Sequence, residues 1–140
     1  MKKLLTVGVI AILATFGSCS SAKSGSVAGT LTNTSWELIT INGKDANPSN
    51  YNSGLPVAQF APDNKISGNG GCNRYNGSYN LNDEGGINIS QMASTKMFCP
   101  GEGEGEYLKA LESADAATVE KDKLVLYKGV DEILVFKPKK

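Results

Sequence analysis

The residues of this chain that could do covalent or acid–base chemistry are three cysteines (Cys19, Cys72 and Cys99), a run of carboxylates at Gly101–Glu106, and acidic pairs in turns. Histidine is absent from all 140 residues. That excludes Ser-His-Asp and Cys-His nucleophile systems, an imidazole base and histidine-based metal sites. Any catalysis would have to rest on carboxylates, lysine or tyrosine. The sequence Gly-Glu-Gly-Glu-Gly-Glu offers three carboxylates in six residues, hard oxygen ligands of the kind calcium takes. It lacks the ladder of asparagine and aspartate ligands of a calcium loop, so it reads as a solvated, flexible loop, and no metal or cofactor is expected. Asp83–Glu84, Asp131–Glu132 and Asp45 sit among turn signals, where acidic residues serve conformation and solubility. Two of them brought together in a cleft would make a histidine-free glycan hydrolase, the alternative reading of the chain.

Each cysteine has its own context. Met1-Lys2-Lys3 is basic, Leu4 to Phe16 is an apolar run, and Gly17-Ser18-Cys19 follows. The run is too short to span a bilayer and reads as a secretory signal. Small residues directly before a cysteine resemble a bacterial lipobox, with Phe16 where leucine is commonest. Residues 1–18 are therefore expected to be removed and Cys19 lipidated, anchoring the protein to a membrane without crossing it. The other reading is an ordinary signal peptide that leaves Cys19 a free thiol. Cys72 and Cys99 then remain in an oxidising compartment, where disulfides persist. A bond between them would close a loop of about 28 residues and contribute about 3–4 kcal/mol. Two separate buried thiols is the other reading.

The mature chain carries 12 basic and 14 acidic residues. This near-neutral balance, with no basic stripe, argues against nucleic acid. Residues 19–32, rich in serine, glycine and alanine, read as a flexible tether. A single domain follows over residues 33–137. Trp36, Leu38 and Thr40 alternate on one strand face before Asn42-Gly43, a strong turn signal. The segment 44–54 reads as a loop. Pro56–Phe60 and Lys65–Gly68 form a hairpin around Pro62-Asp63-Asn64. Arg74–Leu81, Ile87–Ile89, Ala117–Lys121, Lys123–Tyr127 and Ile133–Phe136 read as further strands. The one helix follows Gly105, with Tyr107, Leu108 and Leu111 on its apolar face. About seven or eight short strands and one short helix make a mainly β, small antiparallel barrel-like domain, α+β by content.

The stretch Gly68-x-x-Gly71-Cys72-Asn73-x-Tyr75-x-Gly77-x-Tyr79, followed by Thr95-x-Met97-x-Cys99-Pro100, resembles the META domain of HslJ-like envelope lipoproteins. Trp36-x-Leu38, Phe60, Glu106 with Leu111, Leu124-x-Leu126 and Leu134-x-Phe136 match in order. The resemblance implies a small, mostly β, barrel-like fold, an envelope location and a link to stress or antibiotic tolerance. It implies no enzyme activity. The Gly-Glu run before the helix departs from the family pattern. Asn73, Arg74, Thr95 and Lys96 make up the candidate recognition surface, for an envelope protein or a small molecule. The competing reading of Asn73 is a structural one, bridging a turn through its side chain. Ser20 after Cys19 lacks the acidic character that retains lipoproteins at the inner membrane. The expected place is thus the outer membrane, with a monomeric domain facing the periplasm.

Overall fold

The computed structural model describes residues 27–140. The signal segment, Cys19 and the tether up to residue 26 lie outside the described residues. Nine strands follow in order: β1 (Ser35–Ile41), β2 (Lys44–Asp45), β3 (Val57–Ala61), β4 (Lys65–Asn69), β5 (Arg74–Leu81), β6 (Ile87–Ser94), β7 (Ala116–Glu120), β8 (Lys123–Lys128) and β9 (Asp131–Pro138). All pair antiparallel in one sheet ordered β6-β5-β4-β3-β1-β9-β8-β7, with β2 against β1. The sheet curls until its edges meet at one point. There Gly86 bridges Ala116, and the Ile87 and Ala117 amides donate to the Asp115 and Gly85 carbonyls. Helix α2 (Gly103–Ser113) joins β6 to β7. It buries Tyr107, Ala110 and Leu111 in the core. A mainly β, barrel-like antiparallel domain is thus what the strand pattern describes, with nine strands rather than seven or eight.

Period-two alternation fixes which face is inside. Trp36 and Leu38 on β1, Ala58 and Phe60 on β3, and Leu124 and Leu126 on β8 are buried, while their neighbours are less so. Turn chemistry sets the register. Asn42 and Gly43 both take positive φ (49° and 75°), as a tight hairpin of right-handed twist requires. Phe60 and Tyr79 meet edge to face at 5.1 Å, and Tyr107 and Phe136 at 6.3 Å, tying sheet and helix together.

Three expectations are revised. Residues 27–32, assigned to the tether, form helix α1 (Val27–Thr32), which packs on the domain. Leu31 is fully buried, and its carbonyl accepts the Trp36 indole N–H at 3.0 Å. The side chains of Thr32, Asn33 and Thr34 bond back to the carbonyls of Ala28, Gly29 and Thr30, closing the helix end. One leucine in a small-residue segment was enough to outweigh its composition. Helix α2 begins at Gly103, so most of the Gly-Glu run is helix rather than loop, with Glu104 and Glu106 in its first turn. The segment 44–54 holds β2 and a short 3-10 turn at Pro48–Asn50, capped by the Asn47 side chain.

Candidate functional site

The turn between β4 and β5 is where the sequence placed its candidate residues. Asn69 starts it: its side-chain oxygen accepts the Gly71 N–H at 2.7 Å. Gly71 has φ +105°, and a Cβ there would run into the Tyr51 ring. No other residue type fits that position without strain. The Gly70 N–H donates to the Asn73 carbonyl at 2.9 Å, so the chain doubles back. Cys72 follows, buried and joined by a disulfide to Cys99, with Cα atoms 6.3 Å apart.

Asn73 is the only buried polar or charged residue among the described residues, 5% exposed. Its Nδ2 donates to Glu104 Oε2 (2.7 Å) and to the Met97 carbonyl (3.1 Å). Its Oδ1 accepts from Thr95 Oγ1 and the Met97 N–H, each at 2.8 Å. Its backbone N–H donates to Glu104 Oε1 at 2.6 Å. Every hydrogen-bonding position of this amide is engaged, as burial demands. One side chain thus clamps three segments: the β4–β5 turn, the strap after β6 and the first turn of α2. The disulfide holds the same strap a second time.

Below the clamp lies a phenol pair. Tyr75 Oη donates to the Val57 carbonyl at 3.0 Å and lies 2.8 Å from Tyr107 Oη. With the Tyr75 proton directed to Val57, Tyr107 is the donor between them. Burial pushes the Tyr75 phenol above its ordinary 10.0. It pushes Tyr107 higher as well, with Tyr75 adding to the effect. Both are neutral groups serving the core rather than acid–base reagents near neutral pH.

The four candidate recognition residues therefore divide. Asn73 and Thr95 have their side chains committed to each other and to the clamp. Arg74 and Lys96 are exposed, and neither side chain has a hydrogen-bond or ion-pair partner among the described residues. Lys96 borders a groove of about 380 Å³ between β6 and α2, with Met92, Leu108 and Glu112. Arg74 lies on the outer sheet face. Next to Lys96, Met97 and Phe98 stand 61% and 95% exposed on the strap.

Glu104 was missed by the reading of the sequence, which placed it in a solvated run. Nothing local separates it from Glu102 and Glu106. Only its tertiary partner Asn73, 31 residues earlier, does so. Both Glu104 oxygens are occupied, and Glu106 Oε1 accepts from Asn42 Nδ2 at 2.8 Å. Among the described residues no group of three potential metal ligands converges.

A curled antiparallel sheet with an aromatic core and one helix between its edge strands defines a half-barrel domain, its strap fastened by a disulfide and a buried asparagine. The META domain pattern matches residues 29–140, and the chain belongs to that family. No curated protein matches it. Among solved structures it is similar to a protein from Burkholderia xenovorans determined by NMR. Identity there is 25% over 81% of this chain and 86% of that one, with a TM-score of 0.64. A second NMR structure is 22% identical over 79% and 93% of the two chains, with a TM-score of 0.63. A DUF4847 family protein from Bacteroides vulgatus ATCC 8482 is 17% identical over 81% and 98%, with a TM-score of 0.59. None of the three is described with an activity.

Proposed function

We propose that this META domain protein is a non-catalytic binding module of the cell envelope. In this reading it is anchored by lipid at Cys19 in the outer membrane, faces the periplasm as a monomer and contributes to envelope stress or antibiotic tolerance. The observation that carries the binding half is the division of the β4–β5 turn. Its buried polar groups satisfy one another, and the cations Arg74 and Lys96, whose side chains have no partner among the described residues, stand on a scaffold fixed by Asn73 and the Cys72–Cys99 disulfide. A rigid support with unpartnered charges at its surface suits recognition. The hydrolase reading needs two carboxylates held in a cleft. No carboxylate is buried among the described residues, and Glu104 has both oxygens engaged by Asn73, so nothing favours that reading.

The family and the signal anatomy at residues 1–19 support the envelope half. Mass spectrometry of the membrane fraction tests it: a diacylated Cys19 is expected as the first residue of the mature protein, and an unmodified Cys19 overturns it. The binding half is tested by complementing a deletion strain under envelope stress. The Arg74→Glu, Lys96→Glu double variant should fold with unchanged Tm and fail to restore survival. Full restoration by that variant overturns the recognition role.

A further inference from the structure

We propose that the outer face of β3–β6 binds an acidic glycan, with Arg74 holding its anionic group and Gln59, Ser67 and Asn76 its hydroxyls. The proposal rests on the recognition reading of Arg74 and names the class of ligand. Gln59 pairs with Ser67, and Ser67 with Asn76, so the three outward side chains form one row across adjacent strands. Strand spacing makes that row about 10 Å long, and Arg74 stands two residues along β5, about 7 Å away on the same face. All four are exposed, and none of these side chains has a hydrogen-bond or ion-pair partner among the described residues. Arg74 is the only arginine in the chain. Two shallow depressions flank it. One of about 530 Å³ includes Gln59, Ser67 and Lys139. The other, of about 380 Å³, includes Asn76, Ala93 and Thr95.

The charge distribution favours an anion. Strands β3–β6 contain no aspartate or glutamate, and their cations are Lys65 and Arg74. The nearest strand carboxylate across the sheet is Glu37, on β1 beyond β3 and β4, and Lys137 neutralises it at 3.4 Å. Asp63, Asp83 and Glu84 occupy turns at the far ends of these strands. From α2, Glu104 is bound through both oxygens by Asn73, the residue before Arg74, and Glu112 lines the groove beside Lys96. Neither pairs with Arg74, so an anion there meets a bidentate guanidinium donor that no carboxylate among the described residues already occupies.

The chemistry also selects against other partners. A protein interface is expected to have an apolar, aromatic centre, and the exposed large apolar residues Met97, Phe98 and Val130 lie outside these strands. A single-stranded nucleic acid would need a basic groove with aromatic platforms, and the face has neither. Amides and a hydroxyl that both donate and accept, around one guanidinium, match a hydroxyl-rich chain with spaced carboxylates or phosphates.

Isothermal titration of the purified protein tests this with four polymers: polygalacturonate, its neutral methyl ester, phosphomannan and neutral mannan. At least one acidic polymer should bind about tenfold or more tighter than its neutral counterpart, a margin set by the charge-assisted bond. Which one does so tells carboxylate from phosphate. Arg74→Gln should weaken that binding about tenfold or more, and Asn76→Ala severalfold. Lys121→Gln, on the β7–β8 turn, should leave it unchanged. No binding to either acidic polymer overturns the proposal, as does an equal loss from Arg74→Gln and Lys121→Gln, the mark of diffuse charge attraction. Failure of binding while Arg74→Glu still abolishes survival in cells removes the glycan and leaves the recognition role standing. Failure of both removes the recognition role too.

Discussion

Replacing Glu104 by glutamine separates a clamp from a decoration. The carboxylate accepts two hydrogen bonds from one residue, the Asn73 backbone N–H at 2.6 Å and Nδ2 at 2.7 Å. Glutamine offers one oxygen and turns an NH2 toward the other donor. One Asn73 donor is then left without a partner in a buried site, and the remaining bond loses its charge. An unsatisfied buried donor costs about 1–3 kcal/mol, and a bond to a charged group is worth about 1.5–3 kcal/mol against about 1 for a neutral one. The two effects overlap, so Glu104→Gln should destabilise by roughly 2–4 kcal/mol. For a domain of this size that lowers Tm by roughly 8–15 °C. Thermal denaturation followed by circular dichroism reads it, with Glu102→Gln as the reference. Glu102 is exposed and makes no side-chain cap bond, so its change should stay within about 0.5 kcal/mol. A double-mutant cycle with Asn73→Ala should show a coupling of about 1 kcal/mol or more. If Glu104→Gln melts with Glu102→Gln, or the cycle shows no coupling, the clamp is not what holds helix and strap to the sheet.

Other consequences follow from the same structure. Gly71→Ala places a side chain at φ +105° against Tyr51 and should cost about 2 kcal/mol or more in urea titration. Leu31→Ala, in the segment whose composition suggests a tether, should cost about 2–5 kcal/mol; a loss below about 0.5 kcal/mol would mean that α1 does not belong to the fold. Opening the Cys72–Cys99 bond by reduction should cost about 3–4 kcal/mol of stability at neutral pH. Tyr75 and Tyr107 are held neutral, with folded pKa above the unfolded value of 10.0. The stability they contribute is fully present below pH 10 and is lost as pH rises through the folded values. Tyrosinate absorbance from this pair should therefore appear together with alkaline unfolding; its appearance in a still-folded protein would contradict their burial.

Most of the sheet was legible because its signals are local. Arg74–Leu81 was bounded correctly by the glycine turn before it and the Asn-Asp-Glu-Gly-Gly turn after it, and Asn42-Gly43 marked its own hairpin. Beyond Ile89 the alternation in β6 fails at Gln91, where φ is +53° and the register with β5 slips opposite Gly77. The strand continues to Ser94, but a bulge hides it from a period-two reading. Leu31 is legible only through its partner, since a lone leucine among small residues carries no periodicity. The site shows the same divide. Cysteine count and compartment pointed to Cys72 and Cys99, and the bond is present. The side-chain reading of Asn73 as a bridge holds, but its partners Glu104 and Met97 lie 31 and 24 residues away and leave no local trace.

The central claim is that the Arg74 side of the β4–β5 turn meets a ligand while the buried side only supports it. In vivo photo-crosslinking tests this most directly, with a photoreactive residue placed at Ala93, exposed in the depressions beside both Arg74 and Lys96, and, as the reference, at Lys121 on the β7–β8 turn. Ala93 should give a ligand adduct that disappears in the Arg74→Glu, Lys96→Glu background, and Lys121 none. Equal labelling at both positions, or none at Ala93 in cells whose survival depends on the protein, would contradict it.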